Sequence, residues 1–338
     1  MEFEQQQQEQ QEALLLQKVC ALYNQISSLS SLKPCKNVDT LFTQLVLTCS
    51  QQPPAAPIGF DVASLSQPLQ AMRAHLIQLC AKAEALLELH FSSLLASSFH
   101  HPISNLSIFP YYSNYLKLSL LEFDILRSHS RRLPNKVAFV GSGPLPLSSI
   151  VLASIHLKGT IFHNFDIDPT ANTMASQLVC SDPDLSQRMI FHTKDVMEVT
   201  KGLKDYEVVF LAALVGLEEE EKGRVLKHLG KHMAAGSYLM LRSAHGARAF
   251  LYPVVDICTV EASGFEILSV FHPTDEVINS VVIARKKVVF DQSSVEDEDE
   301  DEEEEEKPGI LVDTSSIVLA EKCSGFNGFT PIIEEQLS

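Results

Sequence analysis

Up to about Arg132 the apolar residues of this chain recur three or four positions apart; beyond Lys136 they gather into short runs. The first spacing lines one face of a helix, and the second, where β-branched and aromatic residues are rich, predicts strands. Glu12–Leu29 puts Leu15, Val19, Leu22 and Ile26 on one helical face. A second helix is expected to run through Leu47, capped by Asn37 or Asp39. Pro53, Pro54 and Pro57 with Gly59 mark a break. A long helix follows over Leu69–Ser97, with Met72, Leu76, Leu79, Ala83, Leu86 and Leu87 as its apolar stripe. A loop around His100–Pro110 leads to a last helix, Tyr112–Ser130. Residues 1–132 therefore read as an all-helical bundle.

From Lys136 the period changes. The predicted strands are Lys136–Val140, Thr160–Phe165, Met189–His192, Glu207–Leu211, Ser237–Leu241, Glu266–Phe271 and Ser280–Arg285. Helices are predicted between most of them, at Leu147–Ile155, Asp168–Val179, Glu218–His232 and Gly246–Val260. In the third of these, Glu218/Lys222 and Glu220/Arg224 stand at i,i+4. Such alternation predicts an α/β domain over 133–290, a parallel sheet with helices on both faces. Residues 291–338, with an acidic run and a Gly/Ser-containing end, read as an appended, disordered tail.

Hydrophobic residues make up 45% of the 338 positions, enough for a sizeable core. The formal charge of −17 is mostly local, because Glu296–Glu306 is eleven consecutive acidic residues. The mildly acidic remainder offers no electrostatic footprint for nucleic acid or anionic lipid. Seven scattered cysteines show neither a CxxC nor a Cys/His ligand spacing, so no metal site or disulfide framework is expected. The polar N-terminus MEFEQQQQEQQE lacks the features of a signal peptide, and no apolar run approaches the length of a membrane span. The expectation is a cytoplasmic protein with no membrane insertion.

Val137–Val140 is uniformly apolar, as a central parallel strand should be. Gly141-Ser142-Gly143 then permits a tight turn and a close approach of ligand to backbone. The spacing begins as G-x-G-x-x-G, yet Pro146 holds the third glycine position, which disfavours a dinucleotide. The Lys and Ser/Thr of a phosphate-binding Walker loop are absent too. Asp166, at the end of the second strand and 25 residues beyond Gly141, can accept both hydroxyls of a ribose. Asp195, after the third strand, is placed to accept a bond from an adenine amino group. An adenosine without phosphates fits all three, with S-adenosylmethionine the obvious candidate. The bland alternative is that Asp166 and Asp195 cap the helices that follow them.

Longer stretches carry a family resemblance. VAFVGSGPLPLSSIVLA (137–153), NFDID (164–168), VVFLAALVG (208–216) and LRSAHGARAFLYP (241–253) resemble the plant nicotianamine synthases. So do CAKAEALLELHF (80–91) and YYSNYLKLSLLEFDIL (111–126), and the likeness spans roughly residues 10 to 287. It implies a Rossmann-like S-adenosylmethionine-binding domain preceded by a helical domain that forms the lid. It also implies transfer of the 3-amino-3-carboxypropyl group rather than the methyl. Three such groups are joined, one azetidine ring closes, and three 5′-methylthioadenosines leave. S-adenosylmethionine would be the substrate, with no further cofactor. Ala212, after the fourth strand, joins Gly141, Ser142, Gly143, Asp166 and Asp195 on the cofactor side.

An α-ammonium must lose a proton before it attacks, so a general base is required. The matching positions in the helical half are Glu84, Tyr115 and Glu122, although Glu122 reads equally well as a structural carboxylate. Burial would raise the pKa of Glu84 and a sulfonium would lower it. Each transferred unit carries a carboxylate, which a planar guanidinium can hold in bidentate fashion. Arg242 at the tip of the fifth strand and Arg248 one loop later are the candidates; Arg127, Arg131 and Arg132 read as a basic helix end. Tyr115–Leu118 and Leu120-Leu121 match sorting patterns but sit at core spacing, and His228/His232 read as a wet helix face. Two other functions share these features: an ordinary methyltransferase and a non-enzymatic adenosylmethionine-binding protein.

Overall fold

The computed structural model of this chain describes residues 2–50 and 60–288. Its centre is a seven-stranded sheet in the order β3-β2-β1-β4-β5-β7-β6. The strands are β1 (Lys136–Val140), β2 (Ile161–Asp166), β3 (Met189–Thr193), β4 (Val208–Leu211), β5 (Tyr238–Ser243), β6 (Phe265–Phe271) and β7 (Ser280–Lys286). β1 to β5 run parallel, with Val137 opposite both Phe162 and Val208. β7 lies antiparallel to β5, and β6 antiparallel to β7, so the wholly parallel sheet expected is corrected at one edge. The reason is the short loop 272–279, which can return the chain but cannot hold a crossover helix. Strand order reverses between β1 and β4, which opens a crevice at their carboxyl ends.

Residues of alternate parity in the strands feed two separate cores. Val137 and Phe139 of β1, with Phe162 and Phe210, pack under α3 (Gln67–Ser98), α4 (Tyr112–His129), α5 (Leu147–Val151), α6 (Pro169–Val179) and α7 (Leu185–Arg188). Ala138 and Val140 face the other way, with Val209, Leu239 and Leu241, under α8 (Glu219–His232) and α9 (Ile257–Ala262). A third cluster joins α1 (Glu2–Ser27), α2 (Lys36–Ser50) and α3 to Ala247, Phe250 and Leu251, just beyond β5. The Val19, Leu22 and Ile26 stripe of α1 is buried there, as are Leu76 and Ala83 of α3. Helices and sheet thus belong to one compact unit, within which α4 passes to β1 near residue 132.

Several local expectations need correction. In α2 the N–H of Asp39 bonds the Cys35 carbonyl, so Asn37 and Asp39 lie inside the first turn rather than at the cap. The helix expected over Gly246–Val260 is a short 3-10 turn, Gly246–Phe250, and then α9. Pro253 has no N–H to continue the first, and Asp256 caps the second by accepting from Cys258 and Thr259. The segment after α5 widens into a π-turn, Leu152–His156. Lys222 does not pair with Glu218; its ammonium is buried and donates to the Ala213 carbonyl at 2.9 Å. Burial also pulls the Lys222 pKa down to about 8. The proline break, residues 53–59, and the tail at 291–338 lie outside the described residues.

Gly230 shows how tightly the second core is closed. A Cβ there would run into the carbonyl oxygen of Ser263 at the end of α9. A backbone atom cannot yield as a flexible side chain would, so Gly230→Ala is expected to cost about 2 kcal/mol of stability. Urea unfolding of the two proteins reads this directly; an unchanged midpoint would contradict the packing described.

Candidate active site

The glycine loop follows β1 and turns on two left-handed residues, Gly141 at φ 78° and Gly143 at φ 67°. Only glycine adopts these angles without strain. The Gly141 and Ser142 N–H groups both donate to the Phe165 carbonyl, at 2.8 and 3.3 Å. Asp166 accepts from the Gly143 N–H at 2.8 Å through one oxygen and from Asp168 N–H at 3.0 Å through the other. Asp166 is therefore tied to the loop, and its remaining lone pairs stay available to a ribose. A Cβ on Gly141 would collide with Val215 and lie 3.3 Å from that of Ala212, so the segment after β4 walls the loop. The Ser142 hydroxyl is buried and has no hydrogen-bond partner among the described residues.

Gly141, Ser142, Gly143, Asp166 and Ala212 thus converge at the carboxyl ends of β1, β2 and β4. The capping alternative fails for Asp166, because Asp168 is the residue that caps α6, accepting from Thr170 N–H at 2.8 Å. It describes Asp195 well: that exposed carboxylate accepts from Met197 N–H at 2.9 Å.

Against this loop α3 sets two carboxylates one turn apart. Glu88 Oε2 comes so close to Gly143 that a Cβ there would stand 2.7 Å from it. Glu84 lies one turn earlier, and Tyr115 of α4 reaches both: its hydroxyl is 3.5 Å from Glu84 Oε1 and 3.3 Å from Glu88 Oε1. Tyr252, beyond β5, donates to Glu84 Oε2 at 2.9 Å. Burial raises the pKa of Glu84, while Tyr252, Arg242 and Tyr115 pull it back down. Glu88 is held well above the usual carboxylate range, by burial first and by the charge of Glu84 second. Burial also holds the Tyr115 and Tyr252 hydroxyls well above their ordinary value, so both are neutral donors. Two carboxyl groups in one site share protons in this manner.

The fold brings together Glu84 and Tyr115, both expected from the sequence, with Glu88 and Tyr252, which are not among the residues expected. Glu88 had a readable signal, the i,i+4 spacing from Glu84. Tyr252 had none, since only the fold joins it to α3.

Glu122 and Arg242 meet elsewhere in the same wall. Glu122 is completely buried and takes Arg242 in two-pronged fashion, Nε to Oε1 at 2.7 Å and Nη2 to Oε2 at 3.0 Å. Arg242 also donates to Ser148 at 2.7 Å and stands over the Phe139 ring. The guanidinium edge expected to hold a substrate carboxylate is thus filled by Glu122. Arg248 donates to the carbonyls of Pro273 and Asp275, the second at 2.5 Å, and so holds the β6–β7 loop. Tyr115 and Leu118 of the first sorting pattern face the core, and Leu118 is buried; in the second, Leu120 is exposed and Leu121 packs inward. The rings of His228 and His232 lie 4.6 Å apart, but His228 bonds the Val199 carbonyl rather than open water. Among the described residues there is no cluster of three or more metal-ligating side chains.

A mixed sheet of this order, a left-handed glycine loop and an acidic residue ending β2 define a Rossmann-like protein of the methyltransferase type. Residues 7–291 match the family model described as nicotianamine synthase protein, and the chain belongs to that family. It is 60% identical over 277 residues to "Probable nicotianamine synthase 4" of Arabidopsis thaliana, covering 82% of this chain and 84% of that one. It is 61% identical over 272 residues to "Nicotianamine synthase" of Solanum lycopersicum, covering 80% and 83%. Among solved structures it is similar to MtNAS in complex with MTA and tNA, with a TM-score of 0.67 at 21% identity, covering 80% of this chain and 97% of that one. A mutant of MtNAS in complex with S-adenosylmethionine gives 0.66 at 21% identity, covering 81% and 98%.

The Glu122–Arg242 pair makes a clear prediction. Arg242→Met leaves a carboxylate buried without its partner and is expected to cost about 3–5 kcal/mol. Adding Glu122→Leu should restore most of that loss in chemical unfolding. A single variant as stable as the parent would show that the pair does not join α4 to the sheet.

Proposed function

We propose that this chain condenses three molecules of S-adenosylmethionine into nicotianamine and three molecules of 5′-methylthioadenosine. The observation that carries the reading is the Glu84–Glu88–Tyr115 cluster pressed against Gly143 of the glycine loop. These groups put a base and a proton relay beside the glycine loop, where an amine acceptor must be deprotonated before it attacks. The reaction is an ordinary displacement. Glu84 takes a proton from an α-ammonium, and the freed nitrogen lone pair bonds a sulfonium-bound aminopropyl carbon, twice on another molecule and once on its own chain to close the azetidine ring. The carbon–sulfur electron pair returns to sulfur, and the neutral thioether departs.

Position decides which of the three carbons on sulfur reacts. The acidic pair favours a cationic ammonium close to it, and burial raises the proton affinity of Glu84, which suits it to accept the ammonium proton. Gly141, Gly143, Asp166 and Ala212 hold the adenosine end, Asp166 toward the ribose. The six cysteines among the described residues are free thiols, which suits a reducing, cytosolic setting. No helix among the described residues is long and apolar enough to cross a membrane.

Incubation with S-adenosylmethionine alone tests the proposal. Methylthioadenosine and nicotianamine should form in a ratio of three to one with no added acceptor; S-adenosylhomocysteine in their place would overturn it. Glu84→Gln is expected to lower kcat by about 100-fold or more while S-adenosylmethionine binding changes little. The acid limb of the kcat profile follows from the same groups. Both carboxyls bind protons more tightly than an exposed glutamate, and the base must be anionic. Activity should therefore be lost on acidification at a pH above the ordinary glutamate value of about 4.3. A limb at or below that value would show that the base is a solvent-exposed group.

A further inference from the structure

The two oxygens of Glu84 have different neighbours, and the difference bears on the proposed reaction, on which this inference rests. The Tyr115 hydroxyl stands between Glu84 Oε1 and Glu88 Oε1, at 3.5 and 3.3 Å. It has one proton, so it donates to one carboxyl at a time and can accept from the other only when that one is protonated. Tyr252 faces no such choice, because its hydroxyl is bonded to Glu84 Oε2 alone, at 2.9 Å. We infer that Tyr252 is a positioning residue that makes Glu84 the anionic member of the pair and leaves its Oε1, which the Tyr115 hydroxyl approaches only at 3.5 Å, to receive the proton of the incoming ammonium. Tyr252 then donates to Glu84 Oε2, and when Glu88 carries the shared proton it can turn that proton to the Tyr115 hydroxyl, whose own proton is then released toward Glu84 Oε1. A proton taken from the substrate amine goes to Oε1, the Glu84 oxygen that Tyr252 does not occupy.

The mounting of Tyr252 supports this role. Phe250 and Leu251 beside it are buried against α1, α2 and α3, and the rings of Phe60 and Phe250 lie 5.6 Å apart. Arg73 of α3 donates to the Ala249 carbonyl at 2.6 Å, and Tyr252 N–H donates to the Arg248 carbonyl at 3.2 Å. The loop is thereby fastened to the same helix that carries Glu84. The other groups around Glu84 are Glu88 and Cys80 of α3, Tyr111 just before α4, Tyr115 of α4 and Arg242 of β5. Burial keeps the Cys80 thiol and the Tyr111 hydroxyl neutral. Arg242 is the one cation of this set, and Glu122 already occupies its fork. Of the remaining groups, Asp166 at the end of β2 faces Glu88 and raises that carboxyl alone, and Tyr252 is the donor bonded to Glu84 alone, so both favour Glu84 as the anion.

The test is the Tyr252→Phe variant of the full chain, with δ-13C-glutamate followed by NMR against pH in the free protein. Glu84→Gln and Glu88→Gln assign the signals. Removing the donated bond should move the lower of the pair's two titrations upward by about one pH unit. Introducing 3-fluorotyrosine at 252, a stronger donor of nearly the same shape, should move it down. In turnover, Tyr252→Phe should shift the acid limb of kcat upward by the same amount, with KM for S-adenosylmethionine within about twofold and activity recovering at high pH. A merely structural Tyr252 would lower the amount of folded enzyme without moving either titration. Unchanged titrations in both variants would overturn the inference. Failure of the parent to release methylthioadenosine would instead sink the proposed reaction, and the NMR titrations would still decide the role of Tyr252.

Discussion

Where α3 crosses the end of β1, a glutamate carboxylate lies against a backbone that has no side chain to keep it away. Glycine at position 143 leaves room for Glu88 Oε2, which a Cβ there would meet at 2.7 Å. The close approach of helix to loop brings Glu84 in with it, one turn back. Two carboxylates out of bulk water are costly unless donors surround them. The tyrosines do so from two directions, Tyr115 from α4 and Tyr252 from the segment beyond β5. The acidic cluster therefore exists because elements far apart in the chain converge on one contact.

A second join keeps that convergence in register. Tyr115 and Glu122 lie two turns apart on α4 and so face the same way. Glu122 is locked to Arg242 of β5, which also holds Ser148 at the start of α5. Displacing α4 along the sheet would break a buried ion pair before it moved Tyr115 very far. On the other flank, Arg248 holds the β6–β7 loop by its carbonyls, and Asn114 of α4 donates to Glu276 of that loop at 2.6 Å. Both arginines suggested by the sequence as carboxylate holders thus serve to fix the walls around the acidic pair.

The legible parts of the fold were those written in local pattern. KVAFV announces a strand buried on both faces, GSG a left-handed turn, and the Val19, Leu22, Ile26 spacing a helix face; all three stand in the structure. Asp166 was readable from its distance to the loop. What escaped the sequence depends on long-range geometry. Nothing in FEILSVF states whether it runs parallel or antiparallel to its neighbour; the shortness of the connecting loop decides that. Arg242 in isolation reads as a free fork, and only the fold brings Glu122 to fill it. The helix expected across Gly246–Val260 fails at Pro253, and the irregular chain there carries Tyr252 toward α3.

In the proposed reaction the glycine loop and Asp166 hold the adenosine end, and the acidic pair with its tyrosines supplies the base. Their proposed work is to present a deprotonated amine to the aminopropyl carbon. The most direct measurement follows two labels in S-adenosylmethionine through a turnover, one in the methyl carbon and one in the carboxyl carbon. The account predicts that all the methyl label leaves with the thioadenosine and all the carboxyl label enters the new product. Methyl label in the product, or carboxyl label retained on the adenosine-bearing fragment, would contradict it.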